Sequence, residues 1–174
     1  MRLPTWRQPG LHLNERDLLG DRTWPRLGCR TVQHLERVWA VACGLVPELR
    51  AQSVHVHCPL RSNVWEFDPE VLPPKPERMG GLHIVTGGAH SIYLFVRRVD
   101  DRGYALAHEL GHAADSLGVA LPADDPKLSD LAGEVFWQSV LSGLYDPGRE
   151  RAEICATVFA WLVCRAIDGR EAAG

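Results

Sequence analysis

From residue 31 to residue 50, the apolar side chains Val32, Leu35, Val38, Trp39, Ala42 and Leu45 recur every three or four positions. That is the period of a helix with one buried face, and Pro47 weakens its end because proline has no amide hydrogen to give. The period then changes to two. Residues 53–58 (Ser-Val-His-Val-His-Cys) alternate as a strand does, until Pro59 stops them. His55 and His57 fall on one side of that strand, which reads as its solvent-facing side. A second short strand is expected over 63–67, and a proline-rich loop over 69–76.

Residues 82–86 and 91–97 are rich in β-branched and aromatic side chains and flank Gly87-Gly88, the signature of a hairpin. His83 and His90 within it show no partner pattern, and Arg97-Arg98 reads as a solvated strand end. Asp100 and Asp101 are N-cap candidates for a helix over 103–117, which Gly118 ends. A Pro/Asp loop at 122–126 leads to a helix over 128–141, and a last helix spans 147–167. The first 29 residues, rich in Pro, Gly and Arg, have no period and read as an extended lead-in. A helix, a few strands and three more helices make an α+β chain. At 174 residues it is expected to form a single domain, 1–174.

Composition narrows the partners. With 45% hydrophobic and 24% charged residues the chain is an ordinary globular protein. A net charge of -3 disfavours nucleic acid, because gripping phosphates needs clustered surplus Lys and Arg. The longest apolar stretch, 38–46, is about half a membrane span, so no membrane association is expected. The N-terminus has no apolar core of a signal peptide. Five cysteines (Cys29, Cys43, Cys58, Cys155, Cys164) without a CxxC pair argue against a Cys-rich zinc site and point to a reduced, cytoplasmic protein.

Chemistry concentrates in Ala107-His108-Glu109-Leu110-Gly111-His112-Ala113-Ala114-Asp115. His108 and His112 are four apart, so on a helix their imidazoles lie one above the other and can share a metal ion. Glu109 projects about 100° away, where it can hold a metal-bound water and take its proton once zinc has lowered that water's pKa towards about 7. Leu106, Leu110, Ala113 and Leu117 form a stripe nearly opposite the histidines, leaving one face for the core and one for the ion. Asp115 stands in the last turn, where a carboxylate works against the helix dipole. It either orients a zinc-bound His or is tied to an Arg.

A tetrahedral site with one water needs a third protein ligand, and Glu134, Glu150 and Glu153 lie downstream. Ala152, Cys155, Phe159, Leu162 and Ala166 form the bulky apolar face of the last helix. Glu153 instead shares a face with the small residues Thr157, Ala160 and Cys164, which lets its helix approach the His helix closely. Glu150 suits the helix N-terminus simply as a carboxylate, and Glu134 reads as a surface acid. Glu153 is therefore the expected third ligand.

His-Glu-Leu-Gly-His-Ala-Ala-Asp at 108–115, with Glu-Ile-Cys-Ala-Thr-Val-Phe-Ala at 153–160, resembles the gluzincin zinc metallopeptidases. The nearest patterns are those of the lethal-factor-like and ImmA/IrrE-type groups, and the likeness covers about 91–162. It implies a zincin-like fold, a small mixed or antiparallel sheet packed on an active-site helix. It also implies one Zn2+ on His108, His112 and Glu153, with Glu109 as general base. Tyr145, upstream of the ligand Glu, matches to within one residue the Tyr that donates to the transition state in the lethal-factor-like group. Two positions depart: Thr157 stands where that group commonly has a further acid, and Trp161-Leu-Val-Cys replaces the ImmA-type continuation.

The expected function is hydrolysis of peptide bonds in a protein or peptide substrate by a Glu-activated, zinc-bound water. Residues 91–97 would then form the sheet edge that aligns the extended substrate. The alternative is a zinc-stabilised regulatory or protein-binding domain with a vestigial peptidase site. Retention of Glu109 separates the two, since a structural site needs the histidines and not that acid. A metal-containing nucleic-acid binder is disfavoured by charge.

Overall fold

The computed structural model of the chain describes residues 8–13, 27–59, 78–119 and 126–171. Among these are four strands, β1 (Gly10–Leu13), β2 (Ser53–His57), β3 (Gly81–Thr86) and β4 (Ala89–Leu94). Four helices join them: α1 (Cys29–Leu45), α2 (Val99–Ser116), α3 (Pro126–Leu141) and α4 (Glu150–Glu171). The chain is α+β. The strands form one mixed sheet in the order β1-β2-β4-β3, parallel except for β3, which runs antiparallel to β4. The strand expected over 63–67 and the loops at 69–76 and 122–125 lie outside the described residues.

Local sequence explains most boundaries. Val46 adopts φ -129°, ψ 89° because the residue before a proline is kept from helical geometry, so α1 stops at Leu45. The chain resumes as a 3-10 turn over Pro47–Ala51, where a continuous helix to residue 50 was expected. Gly87 (φ 58°) and Gly88 (φ 83°) both sit in the left-handed region, which lets Thr86 pair with Ala89 across a two-residue turn. α2 starts at Val99, so Asp100 and Asp101 lie inside its first turn and do not cap it. Their charge still suits the helix N-terminus. Gly118 (φ 70°) closes α2, its N–H donating to the Asp115 carbonyl at 2.9 Å.

Part of the expected lead-in is structured. Gly10–Leu13 pairs with β2 from Gly10↔Ser53 to Leu13↔Val56, a strand too short for its alternation to stand out. β2 corrects another expectation. His55 and His57 do not face solvent; they are 2% and 0% exposed. An inner strand of a largely parallel sheet is covered on both faces. His55 stacks on His12 at 4.7 Å and hydrogen-bonds Ser53 at 3.0 Å, while His57 stacks on Tyr93 at 4.8 Å.

One sheet face (Val54, Val56, Ile92, Leu94) packs on Leu35, Val38 and Ala42 of α1, Leu106, Leu110 and Ala113 of α2, and Phe159, Ala160 and Val163 of α4. The other carries a smaller cluster of Tyr93 and Phe95 with Met79 and Leu82. On α4 the expected bulky face is only partly the deeply buried one: Phe159 is fully buried in the core, as expected. Cys155, Leu162 and Ala166 are only half-buried, whereas Glu153, Ala156, Ala160, Val163 and Ile167 turn inward. Small residues win the inner face because α4 must lie almost on α2. A β-carbon at Gly111 would stand 2.7 Å from the Ala156 Cα, a clash with backbone.

Gly111→Ala should therefore destabilise the protein by about 1–3 kcal/mol through overpacking. Gly133→Ala on α3, whose new methyl would meet only Ile154 Cδ1 at 3.7 Å, should be neutral or stabilise by up to about 1 kcal/mol. Urea unfolding midpoints of the two variants against wild type check both signs.

Candidate metal centre and cleft

α2 presents His108 and His112 one turn apart with their Nε2 atoms 3.2 Å from each other. α4 brings Glu153 across, its Oε2 lying 3.1 Å from His108 Nε2 and its Oε1 3.6 Å from His112 Nε2. One donor atom from each residue lies within 4.8 Å of the others, and this trio forms the candidate metal centre. The donor set fits zinc. Bonds of about 2.0–2.1 Å to a tetrahedral ion place neighbouring donors about 3.3–3.4 Å apart, close to the spacings found. Glu153 is 3% exposed and His108 8%. Burial alone would raise the Glu153 carboxyl, but hydrogen bonds and charge from His108 and His112 outweigh it and hold the group well below the usual carboxylate range.

Glu153 is thus the acid brought to the histidines, as its place among small residues suggests. Glu150 lies a turn earlier and accepts a 2.8 Å hydrogen bond from Trp137 Nε1, and Glu134 is exposed on α3. Asp115 is exposed at the end of α2, outside the trio.

Glu109, next to His108, points at the sheet. A β-carbon on Gly81 of β3 would stand 2.6 Å from its Oε1, so the carboxylate occupies the space that glycine leaves open. The side chain is buried, and burial, with the nearby Glu153 charge, pushes its pKa up to about 7 against the opposing pull of His112 and Arg149.

A cleft of about 1040 Å³ opens over these groups. One wall is β3, from Gly81 to Val85; the other is Val135, Phe136 and Ser139 of α3 with Leu144, Tyr145 and Arg149. Gly143 (φ 72°) ends α3 and turns Leu144 and Tyr145 towards the cleft. Tyr145 stacks on Phe136 at 5.9 Å. Burial raises its hydroxyl pKa above the usual phenol value, reinforced by the charges of Glu153 and Glu109 and by a hydrogen bond to Glu153.

Among the described residues, the sheet edge at the cleft is β3. Residues 91–97 do not provide it, because β4 is hydrogen-bonded on both sides, to β2 and to β3. A hairpin read from sequence does not say which of its strands stays unpaired.

Several cleft residues escaped the sequence reading. Tyr104 lies one turn before His108 and stacks on its ring at 6.4 Å; its spacing of four was the available signal. Gly81 had none. His83 and His90 partner each other, Nε2 to Nδ1 at 2.9 Å, because the register opposes Val85 to His90 and places His83 diagonally on the same face. Burial foremost, then the neighbouring charges of His90 and His112, pushes His83 down to about 3. No protein-family model, curated protein or solved structure matches this chain.

A histidine kept neutral in the fold binds its proton more readily unfolded, so stability should fall as pH drops below about 6.5 and level off below about 3. His83→Gln should flatten that fall by up to about 1.4 kcal/mol per pH unit. Urea unfolding from pH 7 to pH 5 measures the two slopes.

Proposed function

We propose that this protein is a zinc-dependent metallopeptidase of the gluzincin type. What carries the reading is the meeting of His108, His112 and Glu153 from two helices beside a buried Glu109, at the floor of an open cleft. A zinc-stabilised binding domain would need the three ligands and no base. Burying a second carboxylate beside them is costly, and that cost argues for a catalytic use.

In this reading zinc on His108, His112 and Glu153 supplies Lewis acidity, polarising the substrate carbonyl and making water easier to deprotonate near neutral pH. Glu109 takes a proton from the attacking water as its oxygen bonds to the carbonyl carbon. It returns that proton to the amine nitrogen as the carbon–nitrogen bond breaks. The Tyr145 hydroxyl, in the cleft wall beside Glu153, donates to the oxygen that gains negative charge. The edge that β3 presents among the described residues aligns an extended protein or peptide substrate by strand addition. All five cysteines are unpaired, which suits a reducing compartment such as the cytoplasm. Among the described residues no helix is long and apolar enough to cross a membrane.

Protein purified without chelator should carry about one zinc per chain by elemental analysis, and His108→Ala should remove it. Glu153→Ala should weaken zinc about 10–100-fold in a chelator competition, while Glu134→Ala and Glu150→Ala leave it unchanged. A folded, untagged sample without metal would sink the assignment.

Glu109→Gln should keep the zinc and lose peptide hydrolysis, measured by cleavage profiling of a proteome-derived peptide library. Cleavage by this variant at the wild-type rate would remove Glu109 from the mechanism.

A further inference from the structure

The register of the β3–β4 hairpin sorts β3 into two faces. Gly81 lies opposite Leu94, His83 opposite Ile92 and Val85 opposite His90. Ile92 and Leu94 pack on the helices, so Gly81, His83 and Val85 face the helices as well. On that face Gly81 yields its space to Glu109, and His83 follows two residues along, lining the same cleft as Glu109 and the metal ligands. Its Nε2 lies 2.9 Å from Nδ1 of His90, a buried residue of β4. The ring planes are 11° apart, and the 5.1 Å between centroids exceeds the nitrogen separation by roughly the width of one ring. The rings therefore meet edge to edge, in a bond close to linear. One nitrogen of that bond donates and the other accepts, so it does not survive with both rings protonated. Since His90 takes Nε2, Nδ1 is the polar atom that His83 has left for a ligand. With His90 donating, Nδ1 carries a hydrogen; with His83 donating, Nδ1 accepts. Held by His90, His83 can offer either role without taking up charge.

We propose that His83, oriented by His90, is a specificity-determining residue that selects an uncharged polar side chain, an amide or a hydroxyl, in the substrate. This rests on the peptidase reading above and deepens it. A strand added to the edge that β3 presents among the described residues sets one of its own residues beside His83, with β-carbons about 4.5–5.5 Å apart on the same face. An amide or hydroxyl there completes the hydrogen bonding of the imidazole. An aliphatic side chain would strip water from the second ring nitrogen and return no bond. A charged one would find no opposite charge on the pair. His90 is a positioning residue, because without its bond the His83 ring is free to turn.

The test is cleavage of peptide libraries, randomised at each position around the scissile bond, by wild type, His83→Leu, His83→Gln and His90→Leu. The readout is the ratio of kcat/KM for Gln, Asn, Ser or Thr to that for Leu at each position, taken within each protein. Damage to the fold or the metal centre slows all peptides alike and leaves these ratios in place. Wild type should favour the polar group about 3–10-fold at one position, the scale of a single hydrogen bond. His83→Leu should abolish or reverse the ratio at that position only. His83→Gln should keep a polar preference, and His90→Leu should reduce it. Should His83→Leu fail to fold, His83→Val, suited to a strand, takes its place. A polar preference that the apolar variant leaves unchanged, or no polar preference in wild type, would overturn the subsite and leave the peptidase reading standing. Wild type that binds no zinc, or binds it and cleaves no peptide, would overturn both.

Discussion

The site exists because two helices come closer than ordinary side chains allow. Gly111 lies against the backbone of Ala156, and Ala160 continues the same face of α4. Only that approach lets Glu153, a side chain of modest reach, come within 3.1 Å of His108. A helix pair separated by leucines would stand at the usual 8–10 Å between axes and leave the acid short of both imidazoles. Packing and chemistry are therefore set by the same residues: the small positions that weaken α4 as an amphipathic helix are those that deliver its carboxylate.

The two carboxylates of the site show what placement does to one functional group. Both are buried, yet Glu153 is held ionised by the imidazoles it faces, while Glu109, turned towards β3, is pushed up to about 7. In the proposed reading, environments that drive like groups apart would separate ligand from proton carrier, since a ligand must stay charged and a base must exchange protons near neutrality. A glycine completes the division. Gly81 leaves the gap into which Glu109 fits, so the sheet takes part in the site by withholding a side chain.

What was legible in the chain was whatever depends on local spacing. The four-residue interval of His108 and His112, the Gly87-Gly88 turn and the helix following Asp100-Asp101 are short-range features, and each is found within a few residues of its expected place. Glu153 was legible for a less local reason, as the one charge on a face of small residues. The misses depend on what covers what. His55 and His57 alternate like a half-exposed strand, but burial depends on the neighbours of β2, and its period says nothing of them. Likewise the edge expected at residues 91–97 does not fall on β4, because sheet order is not written in a hairpin. Tyr104 has the right spacing to His108, yet spacing alone does not say that its ring stacks there rather than facing solvent.

The trio also joins distant parts of the chain. His112 and Glu153 are separated by 40 residues, a stretch that contains all of α3. α3 is a thin anchor, with only Ala132 and Phe136 buried and with Leu131, Val135, Trp137 and Leu141 exposed. An ion held by His112 and Glu153 in the fold and released on unfolding would stabilise this stretch by its binding free energy, without constraining the unfolded chain. Occupancy of the centre would thus add to the resistance of this thinly anchored stretch to local opening and proteolysis.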